Sequence, residues 1–463
     1  MTPSMALRLA RPASTADRGR FALIAGATAL AGALLLAAWH ILRLPALEPG
    51  SLAEHDSGLA NYVTEDGLRA GVVIAALLLT VPVFALAVQA LRVGSVARDR
   101  RMASLRLAGA TPQDVRTIAA AEAGAAAIAG GVLAGPAYLL LWLLVGVLPP
   151  GGARMLATPD VLDLPAWAAV VPLAGIAGAL AGAAIHGRVI AEPLGVHRRA
   201  QPAAPGAANL TTLVVGVALV LASLVGLPLA ARHGAGELGL IVTAIAGLLI
   251  AAFAGGPRLV LGYARVLGRR RGVEALLAQR RLRADPRTAG RVAGVLFVCG
   301  LALAVEVLLI VEQIFDSNFG DDTAFWVTGY GMTAVVVLVA AAVALLTLLV
   351  GAADGLLDAR RPLATLGALG VDERMLERVV ALQLSATAVP AVVAGALISA
   401  AVVTVLGAFA GDAPAAVAVR VILPAAATAL VAALLMAAAA RLAARLLRSL
   451  IRAAIDPENL RVA

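Results

Sequence analysis

The sequence predicts an all-α, polytopic membrane protein with about ten transmembrane helices. Of its 463 residues 61% are hydrophobic and only 14% charged, and the mean hydropathy is +0.94. Soluble domains are about a quarter charged and about half apolar. Apolar runs of roughly 20 residues or more recur along the whole chain, each long enough to cross a hydrocarbon core of about 30 Å as a helix. Lipid offers no partner for backbone N–H and C=O groups, so such runs must be helical. The short alternating segments of a membrane β-barrel do not occur.

Taken in order, the first run, Phe21 to Leu42, follows Arg8, Arg11, Arg18 and Arg20. It is too long for the apolar part of a cleaved signal peptide, and is expected to be the first span. Further spans are expected at 71–92, 114–148, 165–187, 210–231, 238–262, 291–312, 331–353, 375–409 and 419–445. The third and ninth exceed what a bilayer needs, so their first turns project or the helices tilt.

Arginine placement sets the orientation. The chain has no lysine, and with a cytoplasmic N-terminus 32 of the 37 arginines fall inside; only Arg43, Arg69, Arg154, Arg232 and Arg420 fall outside. The positive-inside bias therefore predicts cytoplasmic N- and C-termini. The net charge of +9 belongs to connections between spans, which fits topology control rather than nucleic-acid binding. The expected location is the plasma membrane of a bacterium.

The domain plan follows: a cytoplasmic segment 1–20, a four-helix domain 21–187, a linker 188–209, a central helix pair 210–262, a basic cytoplasmic segment 263–290, a second four-helix domain 291–445, and a tail 446–463. The division rests on an internal repeat. Shifting the chain by 261 residues lays DRRMASLRLAGATPQDVRTIAAAE (Asp99 to Glu122) on RRPLATLGALGVDERMLERVVALQ (Arg360 to Gln383). Arg100 meets Arg361, Ala103 meets Ala364, Leu105 meets Leu366, Gly109 meets Gly370 and Glu122 meets Gln383.

Each copy predicts a short basic amphipathic helix at the membrane surface, turned into a long spanning helix. Met102, Leu105 and Ala108 share one face, while Arg98, Arg100, Arg101 and Arg106 reach water and headgroups. Gly109 stops the helix in the left-handed conformation; Thr111 caps the next, with Pro112 and Asp114 in its first turn. In the second copy, after Arg360 and Arg361, Gly370 stops the helix and Asp372 caps the next.

The Arg-rich entry, LRLAGAT, and a long helix with an early Glu resemble the FtsX-like permease domain of type VII ABC systems; LATLGALGVDERML is similar and more degenerate. The resemblance covers nearly the whole chain. Two such domains around a helix pair resemble the ten-helix permeases of the bacitracin-resistance class. It implies that this loop docks a separate ABC ATPase, working as a dimer, through Arg98, Arg100, Arg101, Leu105, Arg106, Gly109, Arg360, Arg361, Leu366 and Gly370. It implies ATP on that partner, no cofactor in this chain, and membrane lipid as the surroundings. The chain departs from the family where an acidic residue often follows the first arginines, here Arg101 and Pro362. It also lacks the large extracellular domain of the bacitracin-type permeases and the periplasmic domain of MacB-like exporters.

Without lysine the P-loop GxxxxGK[ST] cannot exist, so any ATPase of that kind is another polypeptide. HExxH, CxxC and GxSxG are absent, the five histidines are scattered, and Cys299 lies in an apolar run as a small hydrophobe, so an enzyme is not expected. Glu306, well inside the seventh span, is the notable intramembrane charge, since a carboxylate there costs about 2.5–3.5 kcal/mol. Glu122 and Gln383 sit at the cytoplasmic ends of long helices and are expected to orient the docking loop. The expected function is the permease subunit of an exporter of a lipophilic or amphiphilic substrate. The alternatives are a proton-coupled secondary transporter using Glu306, and a mechanotransmission protein relaying ATP hydrolysis to an extracellular partner.

Overall fold

A computed structural model describes residues 15–45, 59, 61–91, 104, 106–147, 154, 156, 158–186, 206–233, 237–315, 323–410 and 418–460. Among them the fold is all-α without a sheet, and ten helices are long and apolar enough to cross a membrane. The protein is therefore a multi-pass membrane protein. The chain divides into two compact units: Met1–Val196 with Val327–Gly329, and the remainder.

The first unit contains α1 (Thr15–Arg43), α2 (Asp66–Ala90), α3 (Pro112–Val147) and α4 (Asp163–His186). α3 packs between α1 and α4, and α2 packs on α1. The second contains α5 (Ala207–His233), α6 (Glu237–Leu267), α7 (Val273–Ala284), α8 (Pro286–Phe315), α9 (Thr323–Asp358), α10 (Arg360–Ala368), α11 (Glu373–Ala410), α12 (Leu423–Leu446) and α13 (Arg448–Ile455). Here α11 packs between α8 and α12, while α6 packs on both α5 and α8. A large core, including Leu267, Leu282, Leu296, Leu356, Leu376 and Ile451, runs through this unit.

Between lipid-embedded helices there is no hydrophobic driving force, so close backbone approach supplies the contact. The seams are built for that. A Cβ on Gly300 of α8 would overlap the Val392 carbonyl of α11, and one on Gly395 would overlap the Phe297 carbonyl in return. In the first unit a Cβ on Gly130 would sit 2.5 Å from the Ala25 carbonyl oxygen, and one on Gly182 2.6 Å from that of Ala119. The Trp167 indole lies over Gly135 and donates from Nε1 to the Gly131 carbonyl at 3.0 Å.

The helices outrun their apolar stretches. α3 and α11 have 36 and 38 residues, as their length in the sequence implied, but α9 also has 36. The sequence reading stopped the eighth span at 331–353 because Gly329, Gly331, Asp354 and Asp358 dilute the hydropathy there without ending the helix. In 263–290, read from sequence only as a basic segment, α7 buries Ala275, Ala278, Gln279 and Leu282. Its arginines mask that periodicity. The greater part of the expected linker 188–209 lies outside the described residues.

Gly300→Val and Gly395→Val are expected to lower the thermal unfolding midpoint in detergent by an amount matching about 1–3 kcal/mol of overpacking. Gly26→Val, where nothing lies within 4 Å, is the control and should leave the midpoint nearly unchanged.

Candidate functional site

Two elbows lead into the start of a long span; the short helix α10 precedes the second, and 92–103 and 105, ahead of the first, lie outside the described residues. In the first, Ser104 to Val115, the Ala108 N–H donates to the Ser104 carbonyl at 3.0 Å and the Gly109 N–H to that of Arg106 at 2.9 Å. Gly109 then takes φ +98°, a conformation costly for any residue with a Cβ. In the second, the Leu369 N–H donates to the Thr365 carbonyl at 3.1 Å, the Gly370 N–H to that of Gly367 at 2.9 Å, and Gly370 takes φ +90°. α3 and α11 then open with Val115 N–H to the Thr111 carbonyl (3.2 Å) and Leu376 N–H to the Asp372 carbonyl (3.3 Å).

Different side chains hold the two turns. At the first, Thr111 and Asp114 cap each other: the Asp114 N–H donates to Thr111 Oγ1 at 3.2 Å, and the Thr111 N–H to Asp114 Oδ2 at 2.9 Å. At the second, the end of the chain braces α10. α13 and the 3₁₀ turn Pro457–Leu460 pack on it, burying Leu363 and Ala364, and a Cβ on Gly367 would meet the Ile455 carbonyl oxygen at 2.7 Å. Arg448 donates to Glu377 at 2.8 Å and Arg452 to Glu373 at 3.1 Å, tying α13 to the first turns of α11. Hydrogen bonding to Glu377 holds the Arg448 guanidinium above its ordinary pKa.

Of the docking residues expected from sequence, Arg98, Arg100, Arg101 and Leu105 lie outside the described residues. Arg106 is half-buried, Arg360 and Arg361 are exposed, Leu366 is half-buried with its carbonyl accepting from Val371 N–H at 3.0 Å, and Gly109 and Gly370 are exposed at the turns. The sequence reading passed over one residue at each tip: Leu107 is 91% exposed and Leu369 76%. Leu107 follows Arg106, and Leu369 immediately precedes Gly370. The signal was present in LRLAG and GALG, but helical spacing alone does not say which leucine faces out.

Glu122 is buried three turns into α3 and forms an ion pair with Arg20 of α1, with Arg20 Nη2 donating to Oε2 at 2.8 Å. Gln383, its counterpart by sequence, is half-buried on α11, and its backbone carbonyl accepts from the Thr387 hydroxyl at 3.1 Å. Glu306 is 6% exposed on α8 and its Oε2 has no hydrogen-bond partner.

The opposite end of the first unit carries a cluster that sequence reasoning missed. Arg43 forks onto Asp160 at 2.8 and 3.2 Å and reaches Asp163 at 2.9 Å, while His40 Nδ1 lies 2.8 Å from the other Asp163 oxygen. The Asp160 N–H closes the set onto Asp163 at 3.0 Å, and the Tyr138 ring lies 6.2 Å from that of His40. The Arg43 hydrogen bond holds the Asp160 carboxyl below its ordinary value. His40 and Arg43 end one span and Asp160 and Asp163 start another about 120 residues later, so only helix pairing brings them together. Between these two ends, α1 to α4 line a partly open cavity of about 260 Å³ whose only polar lining residue, Thr28, gives its hydroxyl to the Ile24 carbonyl at 2.8 Å.

No protein-family model, curated protein or solved structure matches the chain.

Glu122→Gln leaves the Arg20 cation buried without its partner and should destabilise by about 3–5 kcal/mol. The double variant Arg20→Met/Glu122→Met should recover most of that loss in thermal unfolding. Asp160, with its depressed pKa, contributes stability above the ordinary carboxylate range, and that contribution is lost as pH falls through the folded value. Asp160→Asn should therefore unfold at a lower temperature than the wild type at neutral pH, and the gap should narrow as the pH falls below the ordinary carboxylate range.

Proposed function

We propose that the chain is the membrane-spanning subunit of an ABC transporter, with its elbows on the cytoplasmic side as docking points for a separate ATPase dimer. The observation that carries this reading is the pair of elbows. Two stretches 261 residues apart have the same hydrogen-bond steps and a left-handed glycine at the same place, each with an exposed leucine within two residues of that glycine and each leading straight into a long span. A push on such an elbow moves the helix behind it, because a capped helix start is stiff and the turn has little freedom. These matched elbows support the internal repeat, and with it the FtsX-like resemblance and the plan of two four-helix domains joined by a helix pair.

The arginine bias supports cytoplasmic termini in a bacterial plasma membrane. The apolar cavity of the first unit favours a lipophilic or amphiphilic substrate taken from the membrane, and export is the direction that fits. Energy enters as ATP on the partner; the chain itself is not an enzyme. Glu306, buried with an unpartnered oxygen, is the observation that favours a proton-coupled transporter instead. Against it, α3 and α11 run unbroken through Pro136 and Pro390, without the broken helices such transporters place at midplane.

The test is purification of the tagged protein from its host in mild detergent. An ATPase should come with it in stoichiometric amount, and Leu107→Asp with Leu369→Asp should reduce its recovery at least tenfold while membrane insertion is unchanged. A preparation free of ATPase that moves solute on a proton gradient, and stops on Glu306→Gln, would establish the rival.

A further inference from the structure

The segment joining α6 to α8 has a surface that the transport reading leaves unused. The spanning part of α6 ends at Leu267 and that of α8 begins at Pro286, so α7 lies at the level of the lipid headgroups. One face of α7 is buried in the unit. The other presents Val273 (58% exposed) and Leu276 (50%), then Arg280 and Arg283, at steps of three and four residues; Arg287, in the first turn of α8, continues the row. Arg269, Arg270 and Arg271 are exposed just ahead of it.

The two acids of the segment are engaged elsewhere: Glu274 pairs with Arg378 at 3.0 Å, and Asp285 accepts the Thr288 N–H at 3.2 Å at the start of α8. None of Arg269, Arg270, Arg271, Arg280, Arg283 and Arg287 has a carboxylate partner among the described residues, whereas Arg378, Arg448 and Arg452 do. Arg281, between them, is desolvated without an acid beside it, and burial pushes its guanidinium below the ordinary value. Positive-inside topology explains why arginines are here. It does not explain an ordered helix with an apolar start, a basic continuation and a desolvated cation.

We infer that α7 and its flanking arginines bind the headgroups of anionic phospholipids. Val273 and Leu276 enter the acyl boundary, while guanidinium groups fork onto phosphate oxygens. The negative surface of the cytoplasmic leaflet supplies the ligand on the orientation proposed above.

The measurement is hydrogen exchange of the full chain in nanodiscs of phosphatidylcholine alone or with about one third phosphatidylglycerol. Backbone amides over 268–285 should exchange several-fold more slowly with phosphatidylglycerol. Arg280→Gln/Arg283→Gln/Arg287→Gln, all exposed, should remove most of the difference while other helices keep their protection. Equal exchange in the two lipids overturns the inference. So does the same protection from inorganic phosphate in phosphatidylcholine, which makes the site one for a free anion, and so does protection that appears only with an added protein. The readout needs no ATPase and no transport, so it stands or falls apart from the transport reading.

Discussion

Close backbone contact at small residues is the constraint on which the rest of the structure depends. In lipid, two apolar helix faces gain little by leaving the acyl chains for each other, so dispersion across a narrow gap must hold them. Gly300 against Val392 and Gly395 against Phe297 bring α8 and α11 to the limit that backbone atoms allow, and Gly130 does the same for α3 on α1. A seam of this kind has no slack. A displacement at one end of α3 or α11 is carried along the helix and across to its neighbours, because closing the gap further means overlap and opening it forfeits the contact.

Among the described residues, the ion pairs that join α1 to α3 and α4 lie toward the two ends of α1, where they fix alignment. α1 is held to α3 through Arg20 and Glu122 near the first elbow, and to α4 through His40, Arg43 and Asp163 at the opposite end. Such pairs add little net stability after desolvation, but a shift of one helix turn leaves a charge buried and unmatched. They therefore select one alignment among the many that alanine-rich faces would accept. The second unit reaches its alignment differently, with Gln383 at the sequence position of Glu122 and external bracing by α13 through Arg448 and Arg452. The two elbows thus share a backbone and differ in what stiffens them: a Thr–Asp cap in one, the chain's own C-terminal helix in the other.

The spans were visible in the sequence because hydropathy over some twenty residues is set by the bilayer itself. The elbow glycines were visible too, since Gly109 and Gly370 follow arginine-bearing amphipathic stretches of sequence and precede capping residues, and only glycine adopts φ near +90° at low cost. Helix α7 was hidden because its buried positions, apart from Leu282, are small or polar (Ala275, Ala278, Gln279) and stand among arginines. The Arg43–Asp160–Asp163–His40 cluster was hidden for another reason. Its members sit at span ends where charges are ordinary, and nothing local tells that α4 starts beside the place where α1 stops. The brace of α10 by α13 is likewise a long-range fact, although the alternation of Arg448, Ile451, Arg452 and Ile455 marks an amphipathic helix.

The distribution of polarity bears on what could move. A hydrophilic solute crossing the bilayer needs a lining that replaces its water, as rings of carbonyls or charged side chains do in known pores. The cavity lined by α1 to α4 offers one hydroxyl, Thr28, and that proton is already given to the Ile24 carbonyl. Ala31, Gly32, Ala177 and Gly178 leave room there, and Leu35, Phe84 and Leu173 give it apolar walls. A charged guest would face the same several-kcal/mol penalty there as an ion in lipid, while a hydrocarbon chain would exchange lipid contacts for wall contacts at almost no cost. The lining therefore discriminates by polarity and shape, and favours an apolar guest over a charged one.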